Sequence, residues 1–178
     1  MADETDDSMP PVNGVYRSGF VTFVGRPNVG KSSIVNAICG RKISIVSDKP
    51  QTTRHRIMGI LTRSDSQIVF VDTPGLHKPV TALGERVNAT ALGSMADVDV
   101  TALVLDATKP FGKGDRWVAS QINMESSIVV VNKVDRASPQ QVLAMLAAAS
   151  DLGAQEYFPV SALTNEGIDG LVEHLTAG

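Results

Sequence analysis

Aromatic residues and cysteine are scarce in this sequence of 178 residues. Aromatic residues make up 4% of the chain although 43% of it is hydrophobic, so the core must consist mainly of Val, Ile, Leu and Ala. Aliphatic cores of this kind are typical of parallel sheets covered by helices on both faces. The single cysteine, Cys39, excludes an internal disulfide framework and fits a reducing compartment. We expect it to be a small buried hydrophobic residue.

Long apolar runs and dense positive charge are also lacking. No apolar stretch is long enough to span a bilayer, and no secretory signal is visible, so we expect a cytoplasmic protein. The formal net charge is −3 and Lys and Arg form no dense run, which argues against duplex-DNA binding or polybasic membrane binding by this chain alone. Residues 1–15 are acidic and proline-containing; we expect a disordered tail there and one domain over residues 16–178.

Apolar runs alternate with helical patterns along the chain, which predicts a three-layer α/β fold. We expect six strands and five helices, in a mostly parallel sheet with one antiparallel strand. A short turn at residues 63–66 forces that antiparallel pair. The predicted strands are 19–24, 56–62, 67–71, 100–105, 127–131 and 156–160. The predicted helices are 31–39, 83–95, 116–123, 138–149 and 168–175.

Residues 25–32 read Gly-Arg-Pro-Asn-Val-Gly-Lys-Ser, which is a complete phosphate-binding loop between a strand and a helix. The loop N–H groups and the positive end of the helix would face a phosphate. Lys31 is expected to reach the β- and γ-phosphates, and the Ser32 hydroxyl to ligate Mg²⁺. The nucleotide-binding residues predicted here are Gly25, Arg26, Pro27, Asn28, Val29, Gly30, Lys31, Ser32 and Ser33.

A second motif, Asp-Thr-Pro-Gly, begins at Asp72, directly after an apolar strand. A carboxylate at this end of a strand faces the ligand crevice of α/β sheets, so Asp72 is expected to hold Mg²⁺ through a water. The N–H of Gly75 is expected to bind the γ-phosphate. Thr53, which we favour over Thr52, lies in the polar stretch 47–54 and is expected to complete the Mg²⁺ shell. The residues predicted here are Asp72, Thr73, Pro74, Gly75 and Leu76 for the nucleotide, and Ser32, Thr53 and Asp72 for the metal.

Two further loops predict which base is bound. Asp135 can accept both the N1–H and the N2–H₂ of guanine, a donor pair that adenine lacks. The Lys133 stem can cover the base, and Asn132 can tie its loop to the phosphate loop. The Ala162 N–H, a weaker signal, is expected to donate to guanine O6. The base-binding residues predicted on these loops are Asn132, Lys133, Val134, Asp135, Ser161, Ala162 and Leu163.

These motifs, in this order, resemble the translation-factor-related GTPases of the Ras-like fold of P-loop NTPases. The stretches at 49–57 (Lys-Pro-Gln-Thr-Thr-Arg-His-Arg-Ile) and 72–79 (Asp-Thr-Pro-Gly-Leu-His-Lys-Pro) are more specific, and resemble the GTPase domain of the bacterial Era family. The resemblance covers about residues 18–175 and implies a monomeric GTP-hydrolysing switch, binding GTP and GDP, that assists small-subunit assembly and 16S rRNA maturation. It also implies peripheral membrane association, and contact with 16S rRNA and the 30S subunit through a C-terminal KH domain that is absent from this sequence.

Leu76 departs from the pattern of Ras-type enzymes, in which a Gln at this position orients the attacking water. A leucine side chain cannot hydrogen bond to water. In related GTPases an Asn at the position of Asn28 ligates K⁺, and we hypothesise that Asn28 does so here. The predicted catalytic residues are Asn28, Lys31 and Thr53.

Three other functions stay open at this point. An ATP-using P-loop enzyme such as a small kinase is disfavoured, because residues 132–135 select guanine and no lid or phosphoacceptor signature is visible. A GTP-dependent binding module with negligible hydrolysis is kept open by Leu76. Another ribosome-assembly GTPase is disfavoured by the two Era-like stretches at 49–57 and 72–79.

Overall fold

The computed structural model describes residues 16–40, 56–72, 89 and 97–177. In this part of the chain, six strands form one sheet and four helices cover it. The strands are β1 (Arg17–Val24), β2 (Arg56–Thr62), β3 (Ser66–Asp72), β4 (Val100–Asp106), β5 (Ser127–Asn132) and β6 (Tyr157–Pro159). The helices are α1 (Lys31–Cys39), α2 (Lys113–Ser120), α3 (Pro139–Ser150) and α4 (Ile168–Ala177). The predicted fold class is confirmed.

The sheet has the strand order β2-β3-β1-β4-β5-β6, and its single antiparallel pairing joins β2 to β3. The connection between these two strands is short, and the Arg63 N–H donates to the Ser66 carbonyl at 2.7 Å. So short a connection permits only a hairpin, whereas parallel neighbours need long crossovers that carry helices. The connection lengths thus produce the mixture of pairings that the sequence predicted.

Two apolar cores lie on opposite faces of the sheet. Along β5, Ile128 and Val130 belong to the core with α1 and α4, whereas Val129 and Val131 belong to the core with α2 and α3. Successive side chains of a strand point to opposite faces, so a strand covered on both sides must be apolar throughout. The continuous aliphatic runs of the sequence have this origin.

Local sequence signals fix the start of α3. The Ser138 hydroxyl accepts the Gln141 N–H at 3.2 Å, and the Gln141 side chain accepts the Ser138 N–H at 2.8 Å. Pro139 occupies the first turn, where its missing N–H costs no hydrogen bond. The capping box predicted from the sequence is confirmed.

The start of α2 differs from the prediction, which placed it at residue 116. The helix begins at Lys113, because the Asp115 carboxylate accepts the Gly112 N–H at 2.9 Å. Asp115 is only 5% exposed, so this capping bond is protected from water. Gly114 lowers the helix propensity of the first turn, and the buried cap compensates for this cost.

Cys39 is buried in α1 with a free thiol, and burial raises the pKa of that thiol. It is therefore a hydrophobic core residue, as predicted. The predicted helix 83–95 lies outside the described residues except for Ala89, which is helical. The predicted tail 1–15 and the polar stretch 47–54 also lie outside them. Within the described ranges, no helix has the length and apolarity needed to cross a membrane.

Replacing Ser138 by Ala should lower the free energy of unfolding by about 1 kcal/mol, because the Gln141 N–H loses its acceptor. Chemical denaturation followed by circular dichroism measures this change. Ser150→Ala is the matched control, since that hydroxyl only donates to the Ala147 carbonyl near the exposed end of the same helix. Equal losses in the two variants would show that the cap does not stabilise α3.

Candidate functional site

The predicted site residues that the structure describes lie at one edge of the sheet, where the parallel strands end. Asp72, Asp106 and Asn132 are the last residues of β3, β4 and β5, and the phosphate loop follows β1 between them. The carboxyl edge is where open α/β sheets bind their ligands, because the loops there converge from neighbouring strands. The sheet thus brings residues more than 100 positions apart in sequence, such as Val29 and Asn132, into contact.

The glycines of the phosphate loop permit two close approaches. Gly30 has φ 101°, and a side chain there would collide with the Asn132 carboxamide. A Cβ on Gly25 would lie 2.6 Å from the Val104 carbonyl of β4. Larger residues at either position would push the loop away from β4 and β5, and this explains why the motif requires glycine there.

Lys31 lies across the phosphate loop. Its ammonium donates to the carbonyls of Gly25 and Arg26, at 3.0 Å in each case. Burial lowers the pKa of Lys31, and the nearby charge of Asp72 partly opposes this shift. The partly desolvated ammonium is therefore an attractive partner for an anion, whose arrival would raise the pKa again.

The Asn132 carboxamide connects the phosphate loop with the loop after β6. Its Nδ2 donates to the Val29 carbonyl at 3.0 Å, and its Oδ1 accepts the Ala162 N–H at 3.1 Å. Asn132 is 2% exposed, so water does not compete for these bonds. The bond from Asn132 to the phosphate loop that the sequence predicted is present. The second bond of Asn132 also reaches the loop after β6.

The bond to Ala162 changes one expectation. The sequence assigned the Ala162 N–H to guanine O6, but this N–H is engaged by Asn132 in the structure. A carbonyl arriving at this position would have to share or displace that bond. Leu163, the next residue, is 78% exposed and presents its side chain to solvent.

Asp135 is held in place by a buried hydroxyl. The Ser161 Oγ donates to Asp135 Oδ1 at 2.7 Å and accepts the Thr164 N–H at 3.0 Å. Ser161 is fully buried, whereas Asp135 is exposed. The serine therefore orients a carboxylate that faces outward, ready to accept donors from a ligand.

Asp106 lies in this site although none of the sequence motifs includes it. Its Oδ2 lies 2.7 Å from the Lys133 ammonium, and its Oδ1 accepts both the hydroxyl and the N–H of Thr108, at 2.6 and 3.0 Å. Burial alone would raise the pKa of Asp106, but the hydrogen bonds from Lys133 and Thr108 outweigh it and lower the pKa. Asp106 follows an apolar run just as Asp72 does, and this shared signal could have identified it.

A second missed contact joins the phosphate loop to α2. The Arg26 guanidinium lies 3.5 Å from the Asp115 carboxylate, the same buried group that caps the helix. The Arg26 side chain is 43% exposed and that of Asp115 6%. The start of α2 is therefore linked to the phosphate loop through one carboxylate.

The expected magnesium ligands are only partly described. Ser32 lies exposed in the first turn of α1, and Asp72 ends β3, but Thr53 and residues 73–76 lie outside the described ranges. Among described residues, no group of three or more His, Cys, Asp or Glu could hold a metal. A hydroxyl and a carboxylate nevertheless fit Mg²⁺ bound with a nucleotide, since this ion takes one or two protein oxygens beside phosphates and waters.

A family model described as "50S ribosome-binding GTPase" matches residues 20–133. Among curated relatives, GTPase Era of Corynebacterium diphtheriae is 46% identical over 167 residues, which are 90% of this chain and 55% of that protein. GTPase Era of Streptomyces coelicolor is 42% identical, over 99% of this chain and 58% of that protein. The chain therefore spans little more than half the length of these relatives.

A solved structure of Era in complex with MgGDPNP and nucleotides of 16S ribosomal RNA has a TM-score of 0.73 and 34% identity, covering 90% of this chain and 56% of that one. Aquifex aeolicus Era bound to GDP and AlF₄⁻ has a TM-score of 0.69 and 32% identity, covering 89% of this chain and 56% of that one. The fold, the motifs and these matches all indicate the same family of GTPases. The chain belongs to the family described as 50S ribosome-binding GTPases, and its domain resembles the GTPase domain of Era.

Proposed function

We propose that this chain is a GTP-binding and GTP-hydrolysing switch. The observation that carries the proposal is the Asn132 carboxamide, which joins the phosphate loop to the loop after β6. A phosphate site and a base site that are joined by buried hydrogen bonds bind one molecule that has both parts, a nucleotide. The oriented carboxylate of Asp135 makes guanine the base.

The phosphate groups would be held by the loop after β1 and by Lys31. Ser32 and Asp72 supply oxygens suited to Mg²⁺, and Thr53 and the Gly75 N–H complete the predicted set. Mg²⁺, when bound, would neutralise charge on the phosphate oxygens. The Mg²⁺ complex of the solved Era structure supports this proposal.

Hydrolysis must proceed without the glutamine of Ras-type enzymes, because Leu76 occupies its position. We assign part of the missing stabilisation to K⁺ held by the side chain of Asn28. The position of Asn28 fits this role, because the residue is exposed at the tip of the phosphate loop, where its backbone has φ 65°. The Lys133 ammonium donates to its carbonyl at 2.7 Å, which holds the backbone at this position.

The cellular role proposed is assembly of the small ribosomal subunit, with maturation of 16S rRNA. The family description names the 50S subunit, but the solved Era structure contains 16S rRNA, which belongs to the small subunit. RNA contact would fall to a KH domain in the part of Era that this chain does not match. We also propose that the protein is a monomer in the cytoplasm, with peripheral association at the inner face of the cell membrane.

Replacing Asp135 by Asn should weaken GDP and GTP binding by at least about a hundredfold, because guanine loses the acceptor of its two donors. Xanthine nucleotides should bind the variant better than guanine nucleotides, since the new amide can donate to the C2 oxygen. Fluorescence titration with the diphosphates and triphosphates of guanosine and xanthosine measures this change in base preference. Asp151→Asn is the control, an exposed carboxylate at the end of α3. Unchanged GTP affinity in Asp135→Asn would refute the base assignment.

Phosphate release from GTP should be on the order of tenfold faster in KCl than in NaCl of equal ionic strength, as expected for a cation that stabilises transition-state charge. Asn28→Ala should abolish this difference while retaining GDP binding. Equal rates in the two salts would refute the K⁺ hypothesis. No release above background in either salt would instead favour the GTP-dependent binding module.

A further inference from the structure

Asp106 and Lys133 form a charge pair beside the candidate nucleotide site, and neither the family match nor the sequence motifs assign a role to Asp106. Asp106 is 5% exposed, and its two carboxylate oxygens have separate partners. Oδ1 is occupied by Thr108, whereas Oδ2 lies 2.7 Å from the Lys133 ammonium. The carboxylate is thus fixed by Thr108 through one oxygen and holds the Lys133 ammonium with the other.

Lys133 is bound at both ends. Its backbone has φ 69°, a left-handed conformation directly after β5, and its ammonium donates to both Asp106 and the Asn28 carbonyl at 2.7 Å. The stem therefore runs from the base-selecting loop to the phosphate loop in one defined direction. Without the carboxylate, a long lysine side chain would spread over many rotamers, and ordering it again on binding would cost conformational entropy.

We propose that Asp106 is a positioning residue for guanine-nucleotide binding, which acts through Lys133 by holding its stem as a wall of the base site and its ammonium on the phosphate loop. This inference rests on the proposed function and names a determinant of affinity within it. Asp106 itself does not touch the nucleotide. Its effect on nucleotide affinity passes through its bond with the Lys133 ammonium. A double-mutant cycle of these two residues can therefore test the proposal.

The ion pair is suited to this task because it is protected. The side chain of Asp106 is 6% exposed and that of Lys133 25%, so salt screens the pair less than a surface pair. In Asp106→Asn, the oxygen that stays with Thr108 leaves an NH₂ group facing the Lys133 ammonium. Both of these groups are donors, so the variant loses the hydrogen bond together with the charge attraction. We therefore expect Asn to be an inadequate replacement for Asp106, although it keeps an acceptor for Thr108.

The test is a double-mutant cycle on the whole chain with Asp106→Asn, Lys133→Met and both together. Asp106→Asn should weaken GDP affinity about tenfold, mainly through faster dissociation, as the loss of a charge-assisted bond implies. In the Lys133→Met background, where the stem remains but the charge is gone, Asp106→Asn should have no further effect. Stopped-flow dissociation of fluorescent GDP gives the rates, and thermal unfolding of each variant reports folding separately.

Asp99→Asn is the matched control, because Asp99 precedes the same strand at its opposite end and accepts the Phe20 N–H at 2.7 Å. It should leave GDP dissociation unchanged. Thr108→Val provides a milder perturbation, since it removes one bond to Asp106 Oδ1 and leaves the charge in place. It should speed dissociation by a smaller factor, and only when Lys133 is present.

Equal effects of Asp106→Asn with and without Lys133 would overturn the proposal, because Asp106 would then act by another route. An unchanged dissociation rate in Asp106→Asn would overturn it as well. If Asp106→Asn fails to fold, an identical effect of Thr108→Val in both backgrounds overturns it instead. Failure of the unaltered chain to bind GDP would refute the proposed function, which keeps the two failures distinct.

Discussion

The candidate site depends on the two hydrogen bonds of the Asn132 side chain. This carboxamide lies at the end of β5 and is 2% exposed, with its nitrogen bonded to the phosphate loop and its oxygen to the loop after β6. A buried amide that lost one of these partners would leave a polar group unsatisfied, at a cost of about 1–3 kcal/mol. The Asn132 side chain therefore holds the two loops in a defined relative position. The glycine at position 30 follows from this, because any side chain there would collide with the carboxamide.

A second connection to the phosphate loop is ionic and runs to the end of β4. Lys133, the neighbour of Asn132, reaches the Asn28 carbonyl and the Asp106 carboxylate. The two connections differ in physical kind, since the amide bonds are short-ranged and neutral whereas the ion pair also acts through its charge. Arg26 and Asp115 add a third connection, from the phosphate loop to α2. Together these contacts tie the phosphate loop to three neighbouring elements through side chains at the carboxyl edge of the sheet.

Much of the fold could be predicted because its signals are local. The aliphatic runs predicted buried strands, the short turn after β2 predicted the antiparallel pair, and Ser138 with Gln141 predicted the start of α3. The start of α2 could not be predicted in the same way. Its cap is the carboxylate of Asp115, and what makes that cap effective is burial against the phosphate loop, which local sequence does not report.

The sequence by itself determined the motifs, the order of the elements and the chemistry each loop can offer, because these depend on residue type and spacing. It also predicted that Asp135 accepts the donors of guanine, and it showed leucine at position 76, where Ras-type enzymes carry glutamine. Only the tertiary structure decided which groups share a hydrogen bond. Ala162 is engaged by Asn132, and Asp106 holds Lys133, because parallel strands bring to one edge residues that lie about 30 positions apart in the chain. Distances between such residues follow from sheet register and packing, which no local pattern contains.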